Sequence, residues 1–151
     1  MQEFNYSLDF KTIDFRQHPE LYRVGRGEQG VLLVEPYKSE ILPYWKFKTP
    51  EIARQSADKI YELFLAYKMQ QDFVGMDMAR KFLQMGYTRS RRYANHKSGR
   101  KYEKDTRTIL PREEDQTKAE SAKIFYQKWQ LVRNDAEYLK LREQHQLHVA
   151  L

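Results

Sequence analysis

Two helix signals separated by only a few residues constrain this chain more than anything else in it. "TPEIARQSADKIYELFLAYKM" opens with Thr49 as an N-cap, Pro50 at the first helical position and Glu51 beside the positive helix end. Ile52, Ala53, Ala57, Ile60, Tyr61, Phe64, Leu65 and Tyr67 then supply a broad apolar face. "DFVGMDMARKFLQMG" follows, with Asp72 as its cap and Gly86 as its expected C-terminal stop; Phe73, Met76, Ala79, Phe82 and Leu83 face the core. The join is too tight for anything but an α-hairpin over residues 49–86.

A second helical signal lies in the last third. Ala122, Phe125, Trp129, Val132, Ala136 and Leu139 recur at spacings of 3, 4, 3, 4 and 3, a stripe suited to a core or a partner helix. Asn134–Asp135 marks a break, with Asp135 capping a further helix, so residues 113–148 read as C-terminal helices.

Residues 1–48 read as β-leaning. Phe4, Tyr6, Leu8 and Phe10 alternate at a period of two; "GVLLVEP" is a short apolar run between Gly30 and Pro36; "ILPYWKFK" alternates again, with Pro43 placing it at an edge. The expected fold is α+β, one domain over residues 1–151, with a small β-rich N-terminal part packed on a predominant helical bundle. A chain of 151 residues, 40% apolar and 14% aromatic, suits one core.

Charge is distributed unevenly. Between Arg80 and Arg107 stand ten Lys or Arg against Glu103 and Asp105, a net +8; the whole chain carries +6, so the remainder sums to −2. Clustered charge points to an anionic partner. Residues 87–112 read mainly as a basic loop, broken by Asn95, Ser98 and Gly99. Arg89, Arg91, Arg92, Lys97, Arg100 and Lys101 are its candidate phosphate contacts, Tyr93 and Tyr102 its candidate stacking rings, and Asn95 and His96 its candidate hydrogen-bonding groups. The leading expectation is a nucleic-acid-binding accessory protein with weak sequence preference. A solvated basic loop is the plain alternative, and an acidic protein partner a third.

Other features weigh less. "GRGEQG", Gly25 to Gly30, matches a dinucleotide-binding pattern, but a strand-like run follows where that pattern needs a helix. A turn is the simpler reading, although Arg23 and Arg26 beside it could help grip a phosphate. "HKSGRK" could form a similar nest with His96 as an acid or base, which keeps a small phosphorylated ligand in view. No second catalytic group is fixed by spacing, so the reading leans away from an enzyme. His145 and His148, three apart, lack an evident third metal ligand, and His18 beside Pro19 reads as a turn residue. No cofactor or metal is called for, and the absence of cysteine excludes disulfides, thiolate nucleophiles and cysteine-ligated zinc. "MQEFNYSLDFKTIDF" has neither an apolar run nor a charged leader, and nothing approaches the roughly 20 apolar residues of a membrane span, so a cytoplasmic protein is expected.

Three stretches taken together, "RVGRGEQGVLLVEPYKSEILPYWKFKTP", "DFVGMDMARKFLQMGYTRSRRYANHKSGRKY" and "AKIFYQKWQLVRNDAEYLKLREQH", resemble a family of short proteins of unknown function from bacteria, phages and some fungi. The resemblance spans roughly Tyr22 to His145. It implies a single intracellular domain and no activity.

Overall fold

The computed structural model describes residues 3–95 and 115–150. Its helices are α1 (Tyr37–Ile41), α2 (Pro50–Met69), α3 (Phe73–Asn95), α4 (Gln116–Arg133) and α5 (Ala136–Ala150), with 3-10 turns at Pro19–Leu21 and Leu42–Tyr44. The architecture is all-helical: the described residues contain no strand, and the expected α+β fold is overturned.

The reason lies in the polar residues between the N-terminal aromatics. Asn5 Oδ1 accepts from Ser7 N at 3.0 Å, Asp9 Oδ1 from Lys11 N at 3.2 Å and Asp14 Oδ1 from Arg16 N at 2.9 Å. Each side chain bonds the backbone two residues on and curls the chain, which an extended strand forbids. "VLLV" is likewise a succession of turns. Val31 N bonds Glu28 O and Leu33 N bonds Gly30 O; Val31 and Val34 are buried while Leu32 is exposed, a spacing of three. Gly30 starts this run at φ +78°, and the Phe4 ring lies where its side chain would stand. "ILPYWKFK" ends α1 and enters the turn at Leu42–Tyr44 instead of forming an edge strand. Residues 3–48 thus wrap the helices as a turn-rich layer, contributing Phe4, Phe15, Tyr22, Val24, Val34, Tyr37 and Ile41 to the core.

The α-hairpin forms as its signals require. Thr49 Oγ1 accepts from Ile52 N at 3.2 Å and caps α2; Asp72 Oδ1 accepts from Gly75 N at 3.1 Å at the start of α3. Every residue from Phe73 to Leu83 is buried, so α3 is the central helix, enclosed all round where it meets α2, α4, α5 and the N-terminal layer. Of the C-terminal stripe, Ala122, Phe125 and Val132 pack inward, with Trp129 at the margin. Asp135 then caps α5 by accepting from Tyr138 N at 2.9 Å. Tyr138 replaces Leu139 as the buried residue, because the break re-phases the stripe.

Gly86 does not stop α3. It is the point where α4 crosses: a side chain there would place Cβ 2.4 Å from Phe125 Cδ1. The helix continues to Asn95, so residues 87–95 are helical where a loop was expected. Gly86→Ala sets two effects against each other. Helix propensity favours alanine by about 1 kcal/mol, whereas overpacking a core contact costs about 1–3 kcal/mol. The contact is with a fully buried ring, so the clash wins. The variant is expected to lose about 1 kcal/mol in urea denaturation, and a gain in stability would show that the crossing is looser than described.

Candidate functional site

The central helix carries three charges through the core. Asp77, Arg80 and Lys81 stand at i, i+3 and i+4, with Asp77 and Lys81 fully buried and Arg80 nearly so. Asp77 accepts from the Tyr22 hydroxyl, from the Tyr138 hydroxyl at 2.6 Å, and from Arg80 Nε at 3.0 Å and Nη2 at 2.8 Å. Arg80 Nη1 donates to the Gly27 carbonyl and, at 2.8 Å, to Gln84 Oε1. Lys81 Nζ donates to the Gln29 carbonyl at 2.6 Å and sits 4.8 Å from the Tyr22 ring centre. One cluster therefore ties the glycine-rich turn and α5 to α3. Counted from the sequence as part of a displayed basic segment, Arg80 and Lys81 are instead structural charges.

Burial alone would raise the Asp77 carboxyl, but the neighbouring charges of Arg80 and Lys81 and the tyrosine hydrogen bonds outweigh it and hold it at about 2. Burial lowers the Lys81 ammonium to about 7, with Arg80 adding to the fall and Asp77 opposing it. Between about 7 and 10 the unfolded chain therefore binds more protons at this lysine than the folded chain, and stability rises with pH. A shift of this size is worth about 5 kcal/mol across the window. Thermal melts of the wild-type chain should move upward from about pH 7 to pH 9.5. Lys81→Met should flatten that rise; an unchanged slope would show that another group carries it.

Above this cluster opens a cleft of about 370 Å³. It is lined by Gly25, Arg26 and Gly27 of the glycine-rich turn, Arg80 and Gln84 of α3, Trp129 and Arg133 of α4, and Tyr138 and Arg142 of α5. No carboxylate is among these lining residues. The Asp77 contacts and the bonds to Gly27 and Gln84 occupy most of the donors of Arg80, but the other three arginines are differently placed. Arg26 has one loose contact, 3.6 Å from Glu3 with both side chains mostly exposed. Arg133 lies 5.5 Å over the Trp129 ring. Arg142 Nε is buried without a hydrogen-bond partner.

An aromatic shelf continues from the cleft. Tyr87 lies 5.8 Å from Trp129 and 5.3 Å from Tyr126, and Tyr126 meets Trp129 edge-on at 5.9 Å. Arg80, Gln84, Tyr87 and Arg91 follow one face of α3 at i, i+4, i+7 and i+11. Tyr126, Trp129 and Arg133 answer them along α4. A contrasting basic site shows what neutralisation looks like. Arg16 is paired bidentately to Glu40 at 2.8 and 2.7 Å, Tyr67 donates to the same carboxylate at 2.8 Å, and Asp72 lies 3.6 Å from Arg16. That cluster is internally satisfied and offers an anion little.

The residues singled out from the sequence are divided. Arg89 and Arg92 are exposed on the last turns of α3, and Arg91 donates to Asn95 Oδ1 at 3.0 Å. Tyr93 turns away and packs 6.0 Å from Phe47, which meets Trp45 at 5.2 Å. "YWKFK" and the start of the basic segment therefore do meet, around a separate apolar hollow lined by Lys46, Lys48 and Lys118 as well as Phe47, Ile52 and Tyr93. His96, Lys97, Arg100, Lys101 and Tyr102 lie outside the described residues. His145 donates from Nε2 to the Tyr22 carbonyl at 2.6 Å against the Phe73 ring, so it braces α5 on the N-terminal layer while His148 is exposed. Burial pushes the His145 imidazole down. Among the described residues no group of three or more His, Asp or Glu could hold a metal ion, and no helix is long and apolar enough to cross a membrane.

The cleft draws on segments that the sequence reading treated separately. Arg26 stands out beside its glycines, whereas Arg133 and Arg142 lie outside the clustered basic segment. The i, i+4 pair Trp129–Arg133 was the local signal available.

No curated protein and no solved structure matches the chain. A family model does: described as "Domain of unknown function (DUF4385)", it matches residues 5–148, the span that includes the glycine-rich turn, the buried charge cluster and all four cleft arginines, and the chain belongs to that family.

Proposed function

We propose that this protein binds single-stranded nucleic acid in the arginine cleft and along the aromatic shelf beside it. The observation that carries this reading is that Arg26, Arg133 and Arg142 line one cleft with Trp129, with no carboxylate among the described residues that line it. Phosphates are bound by arginines, and unpaired bases stack on exposed rings. A cleft of about 370 Å³ is far too small to enclose a duplex. Splayed bases suit it, with Tyr126 and Tyr87 continuing the stacking surface. Arg89 and Arg92, exposed on α3, add to the long-range field.

Fluorescence anisotropy with labelled single- and double-stranded DNA and RNA, at two salt concentrations, tests it. The expected result is a preference for single strands and an affinity that falls steeply as salt rises. No binding at low salt would remove the reading. A small phosphorylated ligand is the second reading, favoured by the bounded size of the cleft, which lies in the range of small-molecule sites. Thermal stabilisation by one nucleotide or sugar phosphate, with indifference to oligonucleotides, would select it.

A further inference from the structure

Resting on the nucleic-acid reading, we infer that the cleft holds the end of a strand, by its terminal phosphate monoester, and not a continuous run of phosphodiesters. The first argument is the arrangement of charge. Arg26 comes from the glycine-rich turn, Arg133 from the end of α4 and Arg142 from α5, yet all line one cavity over Arg80. A strand passing through would present one negative charge per nucleotide, matched by cations along a track. Three arginines from separate segments lining one cavity suit a dianion, and a phosphate monoester carries about −1.5 to −2 near neutral pH with three free oxygens. An arginine fork recognises such oxygens in pairs.

The second argument is the donor left over. Arg142 Nε is removed from water and has no hydrogen-bond partner, while the guanidinium of Arg80 beneath the cleft is bonded to Asp77, Gly27 and Gln84. A buried donor without an acceptor is unfavourable in the empty protein; Arg142 is one of the residues lining the cleft, so a shift of its side chain toward a bound anion would give that donor a partner. The third argument is size and lining. About 370 Å³ suits one nucleotide unit, Gly25 and Gly27 leave bare backbone in the lining, and Trp129 stands in the same cavity to meet the terminal base.

The test uses the full chain and one labelled single-stranded sequence in three forms: 5′-phosphorylated, 3′-phosphorylated, and hydroxyl at both ends. One phosphorylated form is expected to bind at least about tenfold tighter than the hydroxyl form, and which one it is assigns the end. Arg142→Ala should bring the preferred form to within about twofold of the hydroxyl form. Arg142→Lys, which keeps the charge and loses the fork, should fall between them. Melting curves of both variants establish that they are folded. Equal affinity for all three forms would overturn the terminal-phosphate assignment and leave strand binding standing. A free nucleoside monophosphate that binds while no oligonucleotide does would uphold the monoester assignment and overturn the nucleic-acid reading. Failure of every probe would overturn both.

Discussion

Replacing Asp77 by asparagine should remove about 3–5 kcal/mol of stability, a large share of what a marginally stable domain possesses. The substitution is nearly isosteric, so packing is not the cause. Four donors from Tyr22, Tyr138 and Arg80 converge on the carboxylate. An amide offers one acceptor oxygen and turns two donors of its own toward them. Arg80, nearly buried, would lose its counter-charge, with Lys81 fully buried beside it. Leaving one member of a buried pair unpaired costs far more than the pair itself contributes. Urea denaturation of wild type and Asp77→Asn measures the loss directly. The combined variant Asp77→Asn, Arg80→Met, Lys81→Met should recover part of it, because no uncompensated charge remains. A loss below about 1 kcal/mol for Asp77→Asn alone would mean that water reaches the cluster.

Much of this architecture is written locally. The Thr49 and Asp72 caps define the hairpin, Asp135 restarts the last helix, and the stripe from Ala122 to Val132 is the buried side of α4. What failed was reading apolar spacing without the residues between. Asn5, Asp9 and Asp14 bond the backbone two residues ahead, and that chemistry overrides the alternation of Phe4, Tyr6, Leu8 and Phe10. Gly86 illustrates a different ambiguity. A glycine late in a helical pattern signals a stop or a close helix crossing, and only the partner ring, Phe125, decides between them. The charged cluster was masked by counting. Arg80 and Lys81 entered a net-charge sum as surface cations, although Asp77 three and four residues earlier, with apolar residues flanking the three on every side of the helix, was the sign that they pair inside. The cleft was the least legible feature, because Arg26, Arg133 and Arg142 are brought together only by the packing of the turn, α4 and α5 around α3. Where the arginines went matters more for function than how many there are.

That distinction sets the second large effect. Arg133→Ala with Arg142→Ala is expected to weaken single-strand binding at low salt by at least about 100-fold. Hydrogen bonds to charged groups contribute roughly 1.5–3 kcal/mol each, and two lost together exceed two powers of ten. The slope of log affinity against log salt should also fall by about one for each phosphate contact removed. Neither arginine has an ion pair among the described residues and Arg133 is exposed, so their loss should leave the melting temperature within a few degrees. Arg89→Ala with Arg92→Ala removes the same formal charge from exposed positions on α3. Neither is among the residues that line the cleft, so they contribute through the screened long-range field only and this pair should weaken binding only a few-fold. Because the two double variants carry equal net charge, a general electrostatic attraction predicts equal losses, whereas a cleft with directed donors predicts a large difference. Equal losses in anisotropy titrations would reduce the cleft to one part of a diffuse basic surface; a loss confined to Arg89 and Arg92 would move the binding site to the end of α3.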